Sequence, residues 1–326
     1  MKLFISHNTA LSYWREHFPL DSEIGNPAKI STSESCAYLK SDILAFIPEA
    51  WIEPGQPVDV LVFNPSERRQ SRSIRCHAWV SSIPDGSFFR DRDVHVSSPE
   101  FLFLQMASRL SIHKLIALGC ELCGTYTLLP KDRQHPNAID DHPTRIAPLT
   151  NIQKISDFLD ASQGAKGVRK ARRALRYIAE GSRSPMETMV YMLLCLPPLL
   201  GGYGLPKASL NPDIPLDSDA QMIAQRMHAY GDVCWPDQHL DIEYHGDIHT
   251  GTEKMHEDVG RTLGIESMGW RVMTLTSPQV FDWARFETVA KEAAAYLKFR
   301  LYPRVMGATP QRLTLHEELE SWMFTS

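Results

Sequence analysis

The sequence lacks any long uninterrupted hydrophobic run. A membrane-spanning helix needs about 18 or more consecutive apolar residues. The longest apolar stretch here, "MVYMLLCLPPLL", is interrupted by Pro197 and Pro198. The N-terminus also has no apolar signal core, because His7, Arg15 and Glu16 come early in "MKLFISHNTALSYWREH". We therefore expect a cytoplasmic protein with no membrane partner.

An excess of positive charge is absent as well. The formal net charge is −5, and the isoelectric point is about 6.2. Proteins that coat nucleic acid are usually basic over most of their surface. The composition argues against that class of protein, and any contact with nucleic acid must use a local basic patch.

The cysteines do not form a zinc-binding pattern. "GCELCG" contains a single Cys-x-x-Cys pair, Cys120 and Cys123, whereas a structural zinc site needs a second pair at suitable spacing. This pair falls in a predicted helix, where three-residue spacing is common, so we interpret both thiols as packing residues. The remaining cysteines are scattered and typical of reduced core thiols: Cys36, Cys76, Cys195 and Cys234.

The length of 326 residues and the 43% hydrophobic content indicate roughly two domains. Alternating apolar residues predict strands at 57–64 and 73–82 and a third strand at the end of 88–98, and helical spacing begins after Pro99. These elements predict a small α/β unit over residues 1–130. Residues 131–150 are polar and proline-rich, which predicts a linker or long loop.

The second half, residues 151–326, alternates helical and strand patterns. "SPMETMVYMLLCL" has Ser184 as a helix N-cap, Pro185 at the first helical position and Glu187 two residues later, a capping box. The other predicted elements are helices at 151–162 and 167–180, an adjacent strand pair at 226–235 and 238–246 that turns at Pro236-Asp237, a helix at 252–269, a strand at 270–276 and a long helix at 277–303.

Three carboxylates fall at related places in these elements. Glu187 lies in the first turn of a helix, Asp232 opens a strand, and Glu243 lies near the end of the next strand. Acidic residues from one helix and two paired strands can converge on one point. Carboxylate oxygens suit Mg²⁺ or Mn²⁺, and such an ion can polarise a phosphate and lower the pKa of an attacking water.

The stretch "GDVCWPDQHLDIEYHGDIHTGTEKMHEDVGRTLGIESMGWRVMTLT" resembles the PD-(D/E)XK nuclease superfamily. The similar branch is the domain of many actinobacterial proteins that is related to very-short-patch repair endonucleases. The resemblance covers roughly residues 184–290 and implies a restriction-endonuclease-like core, with a mixed central sheet flanked by helices. The residues that match the family pattern are Glu187, Asp232, Glu243, His249, Asp258, Arg261 and the "GWRV" of 269–272.

His245 departs from the family pattern. The branch usually has Asp in "EyDG", and the wider superfamily places Lys or Gln two residues after the acid to position the water. A neutral histidine can serve as a base there, and "HGDIH" is similar to the histidine pair of the repair enzymes. The alternative is a decayed site in which His245 has no chemical role.

The first half has a fainter resemblance, over roughly residues 1–125, to the C-terminal domain of type IV abortive-infection antitoxins. It rests on "ISHNTALSYWR", the paired strands and "VHVSSPEFLFLQMASRL". The alternative is a generic α/β unit whose helix begins at an ordinary N-cap.

A basic helix precedes the nuclease-like region. Basic residues that share this helix can contact phosphate backbones and provide the local patch that an acidic protein needs. A solvated surface helix is the alternative. The predicted nucleic-acid-binding residues are Arg169, Lys170, Arg172, Arg173 and Arg176.

The working hypothesis is a Mg²⁺-dependent or Mn²⁺-dependent DNA endonuclease or nickase. It assigns the metal to Glu187, Asp232 and Glu243, water positioning or leaving-group protonation to His245 or His249, and phosphate or acid-cluster stabilisation to Arg261. The rival hypothesis is a non-enzymatic nucleic-acid-binding or regulatory protein, built on a degenerate nuclease core and an antitoxin-like first half.

Overall fold

The structure is a computed structural model that divides into two compact units. It describes residues 2–16, 43, 46–68, 70–128, 144–145, 147–246, 252–303 and 306–324, with the backbone alone for 252–257. The first unit comprises Met1–Leu122, Thr127–Arg133 and Arg145–Ile178, and the second comprises Cys123–Tyr126, Gln134–Thr144 and Ala179–Ser326. Both units combine helices with mixed sheets, so the chain is mixed α/β.

The described part of the first unit contains a five-stranded sheet in the order β3-β2-β1-β5-β4. β1 is central and every one of its side chains is buried, which explains its wholly apolar sequence "LFI". β1 pairs antiparallel with β2 and parallel with β5. The elements in chain order are β1 (Leu3–Ile5), α1 (His7–Glu16), β2 (Val58–Val62), β3 (Ile74–Ala78), β4 (Phe88–Asp91), β5 (Val94–Ser97), α2 (Pro99–Met106), α3 (Ile112–Leu122), α4 (Ile152–Ala161) and α5 (Val168–Leu175).

The strand and helix predictions for this unit are largely confirmed. β2 and β3 lie inside the predicted stretches, and α2 starts at Pro99 with Ser98 Oγ accepting a hydrogen bond from the Phe101 N–H at 3.2 Å. The stretch 88–98 ends in the predicted strand, which is β5, and β4 precedes it in a hairpin that turns where Arg92 has a left-handed φ of 50°. Cys120 and Cys123 are both buried, as expected of packing residues.

Helices α4 and α5 belong to the first compact unit, whereas the sequence grouped them with the second half. α5 packs on α3 and α4, and it buries Val168, Ala171 and Ala174. The end of the predicted linker also packs here. The Arg145 guanidinium is buried and donates to backbone carbonyls of Glu121 and Trp14. Most of 131–150 lies outside the described residues.

The described part of the second unit is built on a four-stranded sheet in the order β11-β10-β9-β6. β9 pairs antiparallel with both β6 and β10, and β11 pairs parallel with β10 after the crossover helix α8. The elements in chain order are α6 (Pro185–Cys195), β6 (Ser209–Leu210), β7 (Asp213–Pro215), α7 (Ser218–Ala224), β8 (His228–Tyr230), β9 (Val233–Trp235), β10 (Leu240–His245), α8 (Thr252–Ser267), β11 (Arg271–Thr276), α9 (Ser277–Phe281), α10 (Trp283–Tyr296) and α11 (Pro310–Phe324).

The predicted strand at 226–235 is wrong in one respect, because it divides into β8 and β9 at Gly231. β8 pairs with β7 in a separate two-stranded sheet. Gly231 lies so close to Asp241 that a Cβ there would clash with the Asp241 carboxylate. Only glycine allows the backbone at residue 231 to come this close to Asp241. At this residue the chain passes from the two-stranded sheet of β8 to the four-stranded sheet of β9.

The predicted long helix at 277–303 is also wrong, because Asp282 divides it into α9 and α10. Asp282 has extended backbone angles, and its Oδ1 accepts hydrogen bonds from the N–H groups of Ala284 and Arg285. It is therefore the N-cap of a new helix. No helix among the described residues is both long enough and apolar enough to cross a membrane.

Candidate functional site

Strand β10 presents acidic side chains on one face of the second unit's sheet. Alternate residues of a strand point to the same side, so Asp241, Glu243 and His245 share a face. Asp241 and Glu243 are buried, with 0% and 4% of their surface exposed, whereas His245 at the strand end is exposed. A buried carboxylate is stable only if it is hydrogen-bonded, paired with a cation or protonated. Asp241 and Glu243 meet this requirement in different ways.

Arg261 of α8 neutralises Glu243. Its Nη1 donates to Glu243 Oε1 at 2.5 Å and its Nη2 donates to Oε2 at 2.8 Å, while Nη1 also donates to the Tyr230 carbonyl at 2.8 Å. Burial works to raise the pKa of Glu243, but the hydrogen bonds and charge of Arg261 outweigh it and lower that pKa. Glu243 is therefore ionised at neutral pH. Two roles were predicted for Arg261, stabilisation of the phosphate and stabilisation of the acid cluster. Its contacts with Glu243 fit the second role.

Asp232 lies immediately before β9, next to Glu243 on the adjoining strand. Its Oδ2 accepts a hydrogen bond from the Tyr244 N–H at 2.8 Å. Burial raises its pKa well above the usual range, and the negative charges of Glu243 and Glu187 raise it further. This electrostatic coupling identifies the three predicted acids as neighbours.

Glu187 reaches the cluster from the first turn of α6. The predicted N-cap is confirmed, since Ser184 Oγ accepts from the Glu187 N–H at 3.1 Å. The Glu187 carboxylate does not close a capping box on Ser184, because it accepts instead from the Arg183 N–H at 2.7 Å and from Asn211 Nδ2 at 2.5 Å. Burial raises the pKa of Glu187 to about 7.

Asn211 joins two of the acids, and the sequence did not single it out. Its side-chain Nδ2 donates to Glu187, and its backbone N–H donates to the Asp232 carbonyl at 3.2 Å. Its φ of 49° is left-handed, a conformation that asparagine tolerates better than most residues. The signal available in the sequence was the turn-forming "NPD" after a short apolar segment.

Asp241 is a second residue that sequence reasoning missed. Cys234 Sγ donates to its Oδ1 at 3.1 Å, and within the described residues the buried Oδ2 meets no donor. Burial raises the pKa of Asp241 to about 9, and the charge of Glu243 contributes to this rise. Asp241 is thus protonated at neutral pH.

The two predicted histidines, His245 and His249, do not complete a metal-binding site with the acids among the described residues. His249 lies outside the described residues, and His245 is exposed beside Glu243, whose pKa its charge helps to lower. Among the described side chains, no group of three or more His, Cys, Asp or Glu is arranged so that it could hold a metal ion. Both oxygens of Glu243 face Arg261, and Glu187 and Asp232 each accept hydrogen bonds from other protein groups.

The predicted basic helix is α5, in the first unit. Arg169, Arg173 and Arg176 are exposed. The other two basic residues are held by protein partners. Arg172 donates to Asp160 at 2.8 Å, and Lys170 Nζ donates to the Leu110 carbonyl. Arg172 is exposed as well, and Arg176 is the C-cap residue of the helix. Arg169, Arg173 and Arg176 are therefore the guanidinium groups best placed to meet a partner.

Comparison of the chain with models of known protein families, with curated proteins and with solved structures gives no match in any of the three. The resemblance to PD-(D/E)XK nucleases stays a prediction, as does the fainter resemblance of the first half to antitoxins.

Proposed function

We propose that this protein is a Mg²⁺-dependent or Mn²⁺-dependent DNA endonuclease or nickase, with its site in a restriction-endonuclease-like second unit. The observation that carries the proposal is the position of Asp232, whose Oδ2 accepts a hydrogen bond from the N–H of Tyr244, the residue after Glu243 on the adjoining strand. Burial and the charges of Glu243 and Glu187 raise the pKa of Asp232. Acids from a helix and two neighbouring strands thus share one electrostatic site. Clustered carboxyls with perturbed pKa values are typical of functional sites.

The donor chemistry of this cluster suits a hard divalent cation. Carboxylate oxygens are the ligands that Mg²⁺ and Mn²⁺ prefer. Glu187 and Asp232 would hold the ion, joined by Glu243 once Arg261 releases it. A bound ion would supply polarisation of the phosphate and a lower pKa for the attacking water.

The chain's own side chains have distinct roles in this proposal. Exposed His245, two residues after Glu243 on the same strand face, accepts a proton from the attacking water. His249, which lies outside the described residues, is the other candidate for positioning the water or for donating to the leaving oxygen. Before an ion binds, Arg261 fixes the orientation of Glu243. Asn211 fixes Glu187 relative to the Asp232 backbone.

DNA is the proposed partner, and α5 supplies its phosphate contacts. The exposed Arg169, Arg173 and Arg176 give the local positive patch that the net charge of −5 makes necessary. The mixed four-stranded sheet of the second unit, which carries helices α6 and α8 in the expected chain order, also supports the nuclease proposal.

A plasmid-nicking assay tests this function. Supercoiled DNA is incubated with the full chain and Mg²⁺ or Mn²⁺, with EDTA as the negative control and Asp232→Asn as the matched inactive variant. We expect relaxed or linear plasmid from the wild type only. Intact plasmid at high protein concentration with either metal would remove the catalytic proposal.

One observation favours the second candidate, a nucleic-acid-binding or regulatory protein on a degenerate nuclease core. The bidentate contact of Arg261 occupies both oxygens of Glu243. If that ion pair is permanent, Glu243 is a structural carboxylate. The same plasmid would then be retarded in a gel-shift assay without being cut, and Mn²⁺ would not change the melting temperature.

A further inference from the structure

An exposed arginine lies at the edge of the acid cluster in the second unit. Arg183 precedes the N-cap of α6, and its backbone N–H donates to Glu187 Oε2 at 2.7 Å. Its side chain is exposed, and its charge partly offsets the rise in the pKa of Glu187 that burial causes. The cluster therefore has a cation beside it in addition to Arg261.

Tyr230 of β8 fixes where the Arg183 side chain lies. Arg183 Cζ is 4.4 Å from the centroid of the Tyr230 ring, which is within the range of a cation–π contact. Tyr230 is 42% exposed, so the pair can be reached from solvent. The backbone carbonyl of Tyr230 accepts from Arg261 Nη1 at 2.8 Å. Tyr230 thus links Arg183 to the ion pair that Arg261 forms with Glu243.

The two guanidinium groups differ in the donors that they have left for a ligand. Arg261 donates to Glu243 through both of its terminal nitrogens. Within the part of the chain that the structure describes, the Arg183 guanidinium contacts the Tyr230 ring and donates no hydrogen bond to a protein acceptor. A contact with a ring face depends on charge and needs no N–H donor. Arg183 therefore keeps its fork of N–H groups for a further partner.

The substrate proposed for this site is a polyanion, and the acids that it must approach carry the same sign of charge. A phosphodiester strand is repelled by ionised carboxyls and attracted by a cation that lies beside them. The Arg261 side chain is only 12% exposed and is paired with Glu243. Of the two arginines, Arg183 is therefore the one that a strand can contact from solvent.

We infer that Arg183 binds a backbone phosphate of the substrate strand next to the acid cluster, and that Tyr230 is the positioning residue that holds Arg183 there. The inference rests on the proposed function, because it takes DNA as the substrate. A guanidinium fork matches the oxygens of a phosphate and forms charge-assisted hydrogen bonds with them. Backbone contacts carry no sequence information, so Arg183 serves DNA of any sequence equally.

Fluorescence anisotropy of labelled duplex DNA with the full chain in EDTA tests the inference apart from catalysis. Arg183→Gln should weaken binding about tenfold and reduce the slope of log K against log salt concentration by about 0.9. Two duplexes of unrelated sequence should lose the same factor. Arg271→Gln is the matched control, because it makes the same change at an exposed arginine of this unit whose strand partner, Leu240, is at the other end of β10 from His245.

Two variants of Tyr230 separate its positioning role from a structural one. Tyr230→Phe and Tyr230→Leu both keep the backbone carbonyl that accepts from Arg261. Phenylalanine also keeps the ring face, so Tyr230→Phe should bind DNA as the wild type does, whereas Tyr230→Leu should bind more weakly. In the Arg183→Gln background, Tyr230→Leu should cause no further loss. A loss that persists in this background would overturn the positioning role.

These measurements distinguish the inference from the proposed catalysis. Equal affinity and equal salt slope in Arg183→Gln and wild type would overturn the inference, even if the wild type nicks plasmid. A loss confined to one duplex would assign Arg183 to a base edge and would overturn it as well. No DNA binding by the wild type at low salt would overturn both proposals. DNA binding that depends on Arg183, without nicking, would support the inference and remove the catalytic proposal.

Discussion

Arg261 and Glu243 form a bidentate ion pair, with N–O distances of 2.5 and 2.8 Å and little exposure of either side chain. The pair spans from α8 to β10 and neutralises one carboxylate in a cluster that also contains Asp232, Asp241 and Glu187. Removal of one partner from a buried pair leaves an uncompensated charge, whereas removal of both is often nearly neutral. The stability of the second unit therefore depends on both residues together.

The first prediction follows from this pair. Arg261→Met should lower the free energy of unfolding by about 3 kcal/mol at pH 7, a fall of roughly 6–12 °C in melting temperature. The double variant Arg261→Met/Glu243→Gln should recover most of that loss. Urea denaturation of the single and double variants measures the coupling free energy. Additive losses in the double variant would show that the two side chains do not stabilise each other.

The second prediction concerns Asp232, whose carboxylate has no such ion-pair partner among the described side chains. Asp232→Asn keeps an oxygen for the Tyr244 N–H and removes one of the mutually repelling charges. Without metal it should melt at the wild-type temperature or above. It should also lose any stabilisation by Mn²⁺ and all plasmid nicking. Asp237→Asn, an exposed turn residue, is the matched control. A markedly lower melting temperature for Asp232→Asn alone would indicate a structural carboxylate.

The third prediction is a pH dependence that Asp241 causes. Burial raises its pKa from about 4 in the unfolded chain to about 9 in the folded protein. The folded state therefore holds more protons between these values, and the free energy of unfolding falls as pH rises through this window. Each such group contributes up to about 1.4 kcal/mol per pH unit, and Glu187 adds to the fall up to its pKa of about 7.

Asp241→Asn isolates this effect, because the amide does not titrate and its oxygen can still accept from Cys234 Sγ. We expect a flatter stability curve from pH 7 to 9, and higher stability than wild type at pH 9. Urea denaturation at four pH values in this range provides the measurement. Curves that stay parallel to the wild type would exclude Asp241 as the titrating group.

Local patterns predicted the elements that carry the site, and the structure bears this out at several residues. The N-cap of Ser184 and the position of Glu243 in β10 follow from neighbouring residues in the chain. The short turn Pro236–Gln238 between β9 and β10 likewise agrees with its proline. Such features depend on contacts within a few residues, and sequence patterns report them directly.

Contacts between distant residues could not be predicted in the same way. The burial of Asp241 depends on Gly231 and Cys234 across the sheet, and the Glu243 ion pair depends on a helix that follows the strand. The grouping of α5 with the first unit depends on packing against α3. Each of these is decided by tertiary packing, which a single sequence pattern does not encode.

The fourth prediction tests α5 as a DNA-binding surface. Arg169→Glu/Arg173→Glu should weaken DNA binding and reduce the slope of log K against log salt concentration by about 0.9 for each phosphate that the protein no longer neutralises. Both side chains are exposed, so the fold should persist. The control Arg72→Glu/Arg90→Glu makes the same charge change in the same unit. Fluorescence anisotropy at several salt concentrations measures the slopes, and equal slopes in both variants would identify α5 as an ordinary solvated helix.

The last prediction concerns His245, which the proposed nuclease function makes the acceptor of a proton from water. It is exposed at the end of β10, on the same face as Glu243, so its replacement should not disturb the core. If it takes a proton from the attacking water, His245→Ala should slow nicking by about 10²-fold or more, the usual contribution of a general base. Any stabilisation by Mn²⁺ should remain, because the carboxylates proposed to hold the ion are intact. His245→Lys should retain more activity than His245→Ala, since an amine at this position can also position water.

His228→Ala, which changes an exposed histidine on β8, is the control. Wild-type nicking by His245→Ala would assign the proton transfer to another group.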